Sequence, residues 1–398
     1  MNAQEWRAVF ALGALYALRM LGMFMVLPVF ALHASTLPQP AQPWQIGLAI
    51  GVYGLTQALL QIPLGMASDR FGRKPVIVFG MLVFAAGSWL AGATDDISWI
   101  IAGRALQGAG AISAAVAALL ADVTRDSVRT TAMAILGAGM GLAFVLALVL
   151  GPLVAGWIGV DGIFRMTAVL ALLSLPLLLL GVPTPRPLPP ESSSLRAVLA
   201  DPQLLRLDAG IFLLHAGMTA VFTVVPLAIA QTLGLASADH WKLYLPVLLL
   251  SLGPVFPLIR YAERGGRLKA VFLAVVALLA GALALAAAGH DTAPVLVAAL
   301  LLYFIAFNFL EGALPSMISR LAPPAHKGAA LGVYSSAQFL GAFAGGMLGG
   351  LALQYGGIGG ALAAAALLPI IWLVVAAGMG PVAASPPPAA RAEDGIRI

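Results

Sequence analysis

"GMASDRFGRKP", residues 65–75, places Asp69, Arg70, Arg73 and Lys74 within six positions. The chain around it is almost free of charge: of 398 residues only 9% are charged and 61% are hydrophobic, with a mean hydropathy of +0.99. Soluble domains carry roughly 45–50% apolar and about 25% charged residues. Water cannot be the main solvent of a surface this poor in charge. The solvent is lipid, and the charged stretch is a loop between two membrane spans.

Working outward from that loop, a span needs about 20 apolar residues. Runs bounded by charge, proline or polar clusters number twelve, at 8–32, 45–67, 75–93, 97–121, 130–157, 163–182, 208–232, 240–261, 268–288, 293–318, 328–353 and 358–379. The first is too long for the apolar core of a signal peptide and lacks a small-residue cleavage site, so it reads as a retained span. The expected fold is an all-α membrane protein of twelve helices in two pseudo-symmetric six-helix halves. Residues 1–182 form the first half, 183–206 a cytoplasmic linker, 207–380 the second half, and 381–398 a disordered cytoplasmic tail rich in Pro and Ala.

Charge placement gives the orientation. With the N-terminus in the cytoplasm, 17 of the 21 Lys and Arg fall on the cytoplasmic side. Only Arg165 and Lys242 fall outside, while Arg19 and Arg104 lie within spans. This positive-inside bias puts both termini in the cytoplasm. It also accounts for the net charge of +5 without a nucleic-acid partner.

The absence of cysteine excludes disulfides and thiolate metal sites. No metal cluster, nucleophile triad or phosphate loop with a lysine is visible. "LGAGMGLAFVLALVLGP" (136–152) has the glycines of a dinucleotide loop but no strand before it, and reads as a close-packing helix bent at Pro152. The reading is a non-enzyme without a cofactor, driven by an ion gradient.

The halves repeat. "GMASDRFGRK" (65–74) is echoed by "IRYAERGGRLK" (259–269), "RALQG" (104–108) by "NFLEG" (308–312), and "GPLVAG" (151–156) by "GGMLGG" (345–350). Two parallel six-helix repeats with a site between them near the midplane are a transporter layout.

These motifs carry a resemblance. "GMASDRFGRK" resembles the loop 2–3 signature of the major facilitator superfamily, G-x-x-x-D-R-x-G-R-K. "RALQGAG" (104–110) is similar to its helix-4 signature. "LVLGPLVAG" (148–156) is similar to the helix-5 signature of its antiporter branch, with Ala147 and Ala155 where that pattern has glycine. "LRMLGMFMVLPV" (18–29), "DHW" (239–241) and "GVYSSAQFLG" (332–341) narrow the resemblance to bacterial YajR-like transporters of the drug:proton antiporter type. That group carries a small soluble C-terminal domain, and this sequence runs to Ile398 without one.

The resemblance implies a conformational gate made of Gly65, Asp69, Arg70, Gly72, Arg73 and Lys74. Asp122 at the end of helix 4 belongs to it, helix 11 is the partner of Asp69, and Gly151 and Pro152 come from the helix-5 signature. Glu263 and Arg267 form the mirror-image latch of the second half. It further implies a monomer in the bacterial cytoplasmic membrane, exporting a small amphipathic compound or drug against protons. A symporter or facilitator importing a metabolite, or a non-transporting sensor, shares the architecture. The residues also offer a plainer reading of the loop, in which its positive charges only anchor topology.

Charges inside a span each need a reason, because one at helix centre costs roughly 2.5–3.5 kcal/mol. Glu311, the deepest acid, takes the pseudo-symmetric place of Gln107 and is the first candidate proton carrier, the alternative being a structural ion pair. His215 is the second, against a packing histidine. Arg104 and Arg19 are candidates for proton handling, with Arg19 also expected to face the cavity and meet an anionic group. Asp208 lies so near its span's entrance that it reads as interfacial. Tyr53, Gln57 and Gln61 share one helix face at i, i+4, i+8, and with Asn308, Tyr334 and Gln338 they are expected to line the substrate cavity or to bond between helices.

Overall fold

The computed structural model of the chain describes residues 1–184, 195–263, 266–323 and 326–380. The middle of the expected linker, 185–194, and the expected tail, 381–398, lie outside the described residues. Among the described residues the chain is helical, without a strand.

The elements are α1 (Ala3–Met25), α2 (Phe30–Ser35), α3 (Pro43–Phe71), α4 (Arg73–Gly92), α5 (Ile97–Ala109), α6 (Ser113–Asp122), α7 (Asp126–Gly181), α8 (Leu195–Leu199), α9 (Pro202–Leu233), α10 (Trp241–Glu263), α11 (Leu268–Gly289), α12 (Ala293–Leu321) and α13 (Lys327–Ala377). A turn at Val26–Val29 containing Pro28 interrupts the first span between α1 and α2. Gly110–Ile112 interrupts the fourth between α5 and α6.

Among the described residues, ten segments are long and apolar enough to cross a membrane. Two of them are too long to do so once. At 1.5 Å per residue, the 56 residues of α7 would reach about 84 Å, against about 30 Å of hydrocarbon. Each is folded at a glycine that no L-residue replaces without strain: Gly159 (φ 74°) in α7 and Gly357 (φ 62°) in α13. Ten segments therefore make twelve spans.

The two six-span halves repeat in three dimensions. The loop after the second span of each half turns on a positive-φ glycine, Gly72 and Gly266. The lysine at the start of the third span holds the carbonyl at the end of the sixth: Lys74 Nζ donates to Val182 O at 2.6 Å, and Lys269 Nζ to Ala377 O at 3.0 Å. Both bonds close a loop of 108 residues. We call the end carrying these lysines and "SDRFGRK" the charged end.

The outer surface is apolar, as lipid requires. Leu180 and Val374 stand free, and Trp89, Trp99, Trp157 and Tyr355 are exposed at the far end, where an aromatic belt meets headgroups.

The halves meet through glycine. On α3, a Cβ at Gly47 would lie 2.0 Å from Gly346 O, one at Gly51 2.9 Å from Phe343 O, and one at Gly54 2.4 Å from Phe339 O. Backbone therefore touches backbone along α3 and α13 towards the far end. At the charged end the opposite holds. A Cβ placed on Gly137, Gly139, Gly141, Gly328 or Gly332 would have nothing within 4 Å. The molecule is sealed at the far end and splayed at the charged end.

Gly47→Val will force α3 off α13. We expect overpacking of roughly 1–3 kcal/mol to lower the unfolding temperature, read by tryptophan fluorescence in detergent, while Gly137→Val leaves it within a degree or so.

Candidate functional site

Three groups of polar residues are built on this frame. The first fills the interior of the first half. Arg19 on α1 is fully buried and donates to Gln57 Oε1 at 3.0 Å and to Gly110 O at 3.1 Å. That carbonyl stands at the break in the fourth span, where the helix ladder stops and an acceptor is left over. Arg104 on α5 donates to Ala49 O (3.1 Å), Ile50 O (3.3 Å) and Gln107 Oε1 (2.8 Å). The Tyr53 ring lies between the two guanidiniums, 5.9 Å from Arg19 and 5.3 Å from Arg104, and Phe84 faces Arg19 at 4.8 Å. Carbonyl dipoles and ring faces thus hold both charges.

This corrects the expectation that Arg19 faces the cavity. It also shows Tyr53, Gln57 and Gln61 buried inside the first half. Gln57 Nε2 donates to Ser113 Oγ (3.1 Å), which also meets Tyr16 Oη (3.0 Å), and lies 3.5 Å from Gln61 Oε1. The stripe shares one face as expected, but a helix of the same half covers that face. Tyr53 alone looks across to the second half, with its ring centroid 6.2 Å from that of Phe339.

The second group is the charged loop. Asp69 lies in the last turn of α3 rather than beyond it. Arg73 pairs with Asp69, donates to Asp122 Oδ2 at 3.0 Å and to Ser68 Oγ at 2.8 Å, and so ties the second, third and fourth spans together. Asp69 pairs with Arg73; the start of the eleventh span, where α13 begins and which was expected to meet Asp69, lies partly outside the described residues. Arg70 lies over the Phe71 ring at 5.4 Å. Gly65 lets α3 approach Ala114 of α6, and Gly151, next to Pro152, lets α7 approach Met25 O at the break in the first span.

The mirror latch pairs differently from expectation. Glu263 accepts from Arg320 Nη2 at 3.5 Å, and Arg267 instead stacks on Tyr261 at 4.7 Å. Sequence reasoning also missed Glu5. Buried at the start of α1, it accepts from Arg125 Nε (2.8 Å), Arg125 Nη2 (3.0 Å) and Asn2 N (2.7 Å).

The third group gathers in the second half from α9, α12 and α13. His215 is buried. Its Nε2 lies 2.8 Å from Gln338 Nε2 and 3.9 Å from Glu311 Oε2. With the amide as donor, this ring nitrogen is an acceptor, and Glu311 waits just beyond hydrogen-bond distance. Among the described residues Glu311 Oε2 is sealed and without a partner, while about a quarter of the side chain (28%) remains open. Tyr334, with an unpartnered hydroxyl, and Asp208, with two unpartnered oxygens, complete the group. Asn308 donates to Ser251 Oγ at 3.0 Å, a bond between α12 and α10.

Asp208 was expected at the interface and is in fact buried. The signal was available, since Asp208 and His215 are seven residues apart and share a helix face.

Comparison with known proteins follows the same lines. The family described as "Major Facilitator Superfamily" matches residues 12–346 and 209–397. The chain is 45% identical over 385 residues to the "Inner membrane transport protein YajR" of Escherichia coli (strain K12), covering 95% of this chain and 84% of that protein. It is 31% identical over 349 residues to the "Multidrug resistance protein MdtH" of Aeromonas hydrophila, covering 84% and 85%. A bacterial homologue of the human lysosomal transporter Spinster, in an inward-facing and occupied conformation, superposes with a TM-score of 0.78 at 14% identity, covering 94% of this chain and 97% of that one.

The first group is built to hold the bundle together. Arg104→Ala leaves Gln107 Oε1 without its donor, and we expect a loss of about 1–3 kcal/mol, read as a fall in unfolding temperature. Arg104→Lys, lacking the planar fork, recovers only part of it.

Proposed function

The chain belongs to the Major Facilitator Superfamily and is a membrane transporter rather than an enzyme, and from that premise we propose that it is a proton-coupled exporter of a small amphipathic compound. It works as a monomer without a cofactor in the inner membrane of a bacterium, with both termini in the cytoplasm. The E. coli relative named as an inner membrane transport protein supports the location. The MdtH relative named as a multidrug resistance protein supports the substrate class.

One observation carries the coupling: His215 Nε2 has Gln338 at 2.8 Å and Glu311 at 3.9 Å. Two partners compete for one ring nitrogen, and the competition depends on helix position. Gln338 sits on α13 next to Phe339, the last of the backbone contacts with α3, and below it Gly328 and Gly332 meet open space. That segment is free to bend. When the charged end closes, the start of α13 moves towards the first half and draws Gln338 off the ring. Glu311, already about one ångström beyond hydrogen-bond distance, can then close on His215 and hand over a proton.

The gate supplies the other half of the cycle. Asp69 stands at the negative end of its own helix, where an acid is disfavoured. In the closed state the N-terminus of α13 offers it a better neighbour. Arg73 and Asp122 keep the loop in shape while Asp69 changes partner. With the positive-inside orientation, the splayed end seen here opens to the cytoplasm.

Reconstituted in liposomes with an inward proton gradient, the protein should drive an amphipathic dye outward, and Glu311→Gln should abolish that coupling. Dye moving with the protons would mean a symporter, no ligand response at all would favour a sensor, and wild-type coupling in Glu311→Gln would remove Glu311 from the mechanism. Because the native chain has no cysteine, Gly137→Cys, on the helix face of Phe144 and with open space around it, is a clean reporter of the splayed end. Adding Asp69→Asn should raise its thiol labelling several-fold in the membrane, and unchanged labelling counts against the gate.

A further inference from the structure

We propose that Asp208 is a second proton-binding group of this transporter, placed on the charged-end side of Glu311 along the same wall of the second half. This rests on the proton-coupled reading above. The first ground is a contrast between two buried carboxylates. Glu5 is as buried as Asp208 (4% and 6% exposed), but donors from Arg125 and Asn2 surround it. Asp208 is equally hidden, and neither oxygen has a partner among the described residues. Among the described residues no cation balances a negative charge there, and an unpaired ion in such a place is strongly disfavoured. A carboxyl that carries a proton meets no such penalty.

The second ground is position. The first turn of α9 is capped by Asp201, whose Oδ1 accepts from Gln203 N at 2.7 Å, with Pro202 opening the helix. Asp208 therefore lies about 9 Å inside the helix start, and seven residues further on the same face stands His215.

The groups around it are few. On its own helix, Arg206 lies near Gly378 at the end of α13. From α11, Lys269 is taken by Ala377 O. From α8, Arg196 is exposed. From α13, Tyr334 lies within electrostatic reach of both Asp208 and Glu311 and has a hydroxyl without a partner. From α12 comes Glu311 itself, also within reach of Tyr303. Two carboxyls and one hydroxyl, all unpartnered, thus share one interior region. Tyr334, within electrostatic reach of both and hydrogen-bonded to neither here, is the hydroxyl we assign as their positioning residue.

Infrared spectroscopy of the full chain in liposomes tests this without a substrate, using protons alone as the probe. Protein labelled with ¹³C-aspartate is titrated, and the C=O stretch of protonated carboxyls is followed. At a pH where exposed carboxylates are ionised, we expect one aspartate-derived band and one glutamate-derived band. Asp208→Asn should remove the first, Glu311→Gln the second, and Tyr334→Phe should shift the first. A folded Asp208→Asn protein that keeps its aspartate band overturns the proposal. So does a wild-type protein with no aspartate band, an outcome that needs no variant to fold. Loss of only the aspartate band in Asp208→Asn, with coupled transport unaffected by Glu311→Gln, would leave Asp208 standing while the reading of Glu311 fails.

Discussion

A charge in the hydrocarbon interior must either be held permanently or be able to disappear, and the two halves of this molecule take opposite solutions. An arginine cannot lose its proton. Arg19 and Arg104 are accordingly fixed by carbonyls, amides and ring faces in the first half, with no acid among these contacts. The embedded groups of the second half are carboxyls and an imidazole, which can change state. Among the described residues, Asp208 and the sealed oxygen of Glu311 have no hydrogen-bond donor, whereas Arg19 keeps two acceptors through Nη2 although its Nε and Nη1 have none. Residue chemistry thus separates a half whose embedded charges are permanent from one whose embedded groups can titrate, although both share one backbone plan.

That plan depends on how closely backbones approach. Glycines on α3 and α13 bring main chains into contact across the halves. Gly341, Gly345 and Gly349 do the same between α13 and α9, where added side-chain atoms would meet Phe212 O, Ala216 O and Ala220. One helix is therefore clamped on two sides over its far-end portion, with the last of these backbone contacts at Phe339. Small residues serve this purpose in membranes, where no hydrophobic force drives helices together. That last contact stands beside Gln338, the residue that holds His215.

The sequence was most informative where the bilayer itself sets the answer. Span number, the charged loops and the repeat all follow from thickness and from the cost of charge. The span limits agree to a few residues except where caps extend a helix. Asp208 shows the consequence: Asp201 and Pro202 start α9 six residues earlier than hydropathy suggests, and this carries the acid from the interface to the interior. Side-chain partners were less legible. Periodicity places Tyr53, Gln57 and Gln61 on one face without saying which helix covers it. Likewise, the internal repeat pointed Glu263 to Arg267, whereas packing supplies Arg320 from α12.

The repeat also bears on the gate we propose for the first half. Lys74 and Lys269 make the same bond over the same chain separation, so the duplicated frame is intact at the charged end of both halves. What differs is the sign of the charge at the end of the fourth span of each half. Asp122 there gives Arg73 a second acid, and the arginine bridges three spans while Asp69 keeps half its surface open (53%). Arg320 at the corresponding end reverses the polarity and draws Glu263 into a longer contact within its own half. Asp69 and Glu263 keep the same share of surface open (53%), so what separates the two arrangements is that Arg73 meets two acids and Arg320 one. Matching lysine bonds at the two loops thus go with two different ion-pair arrangements.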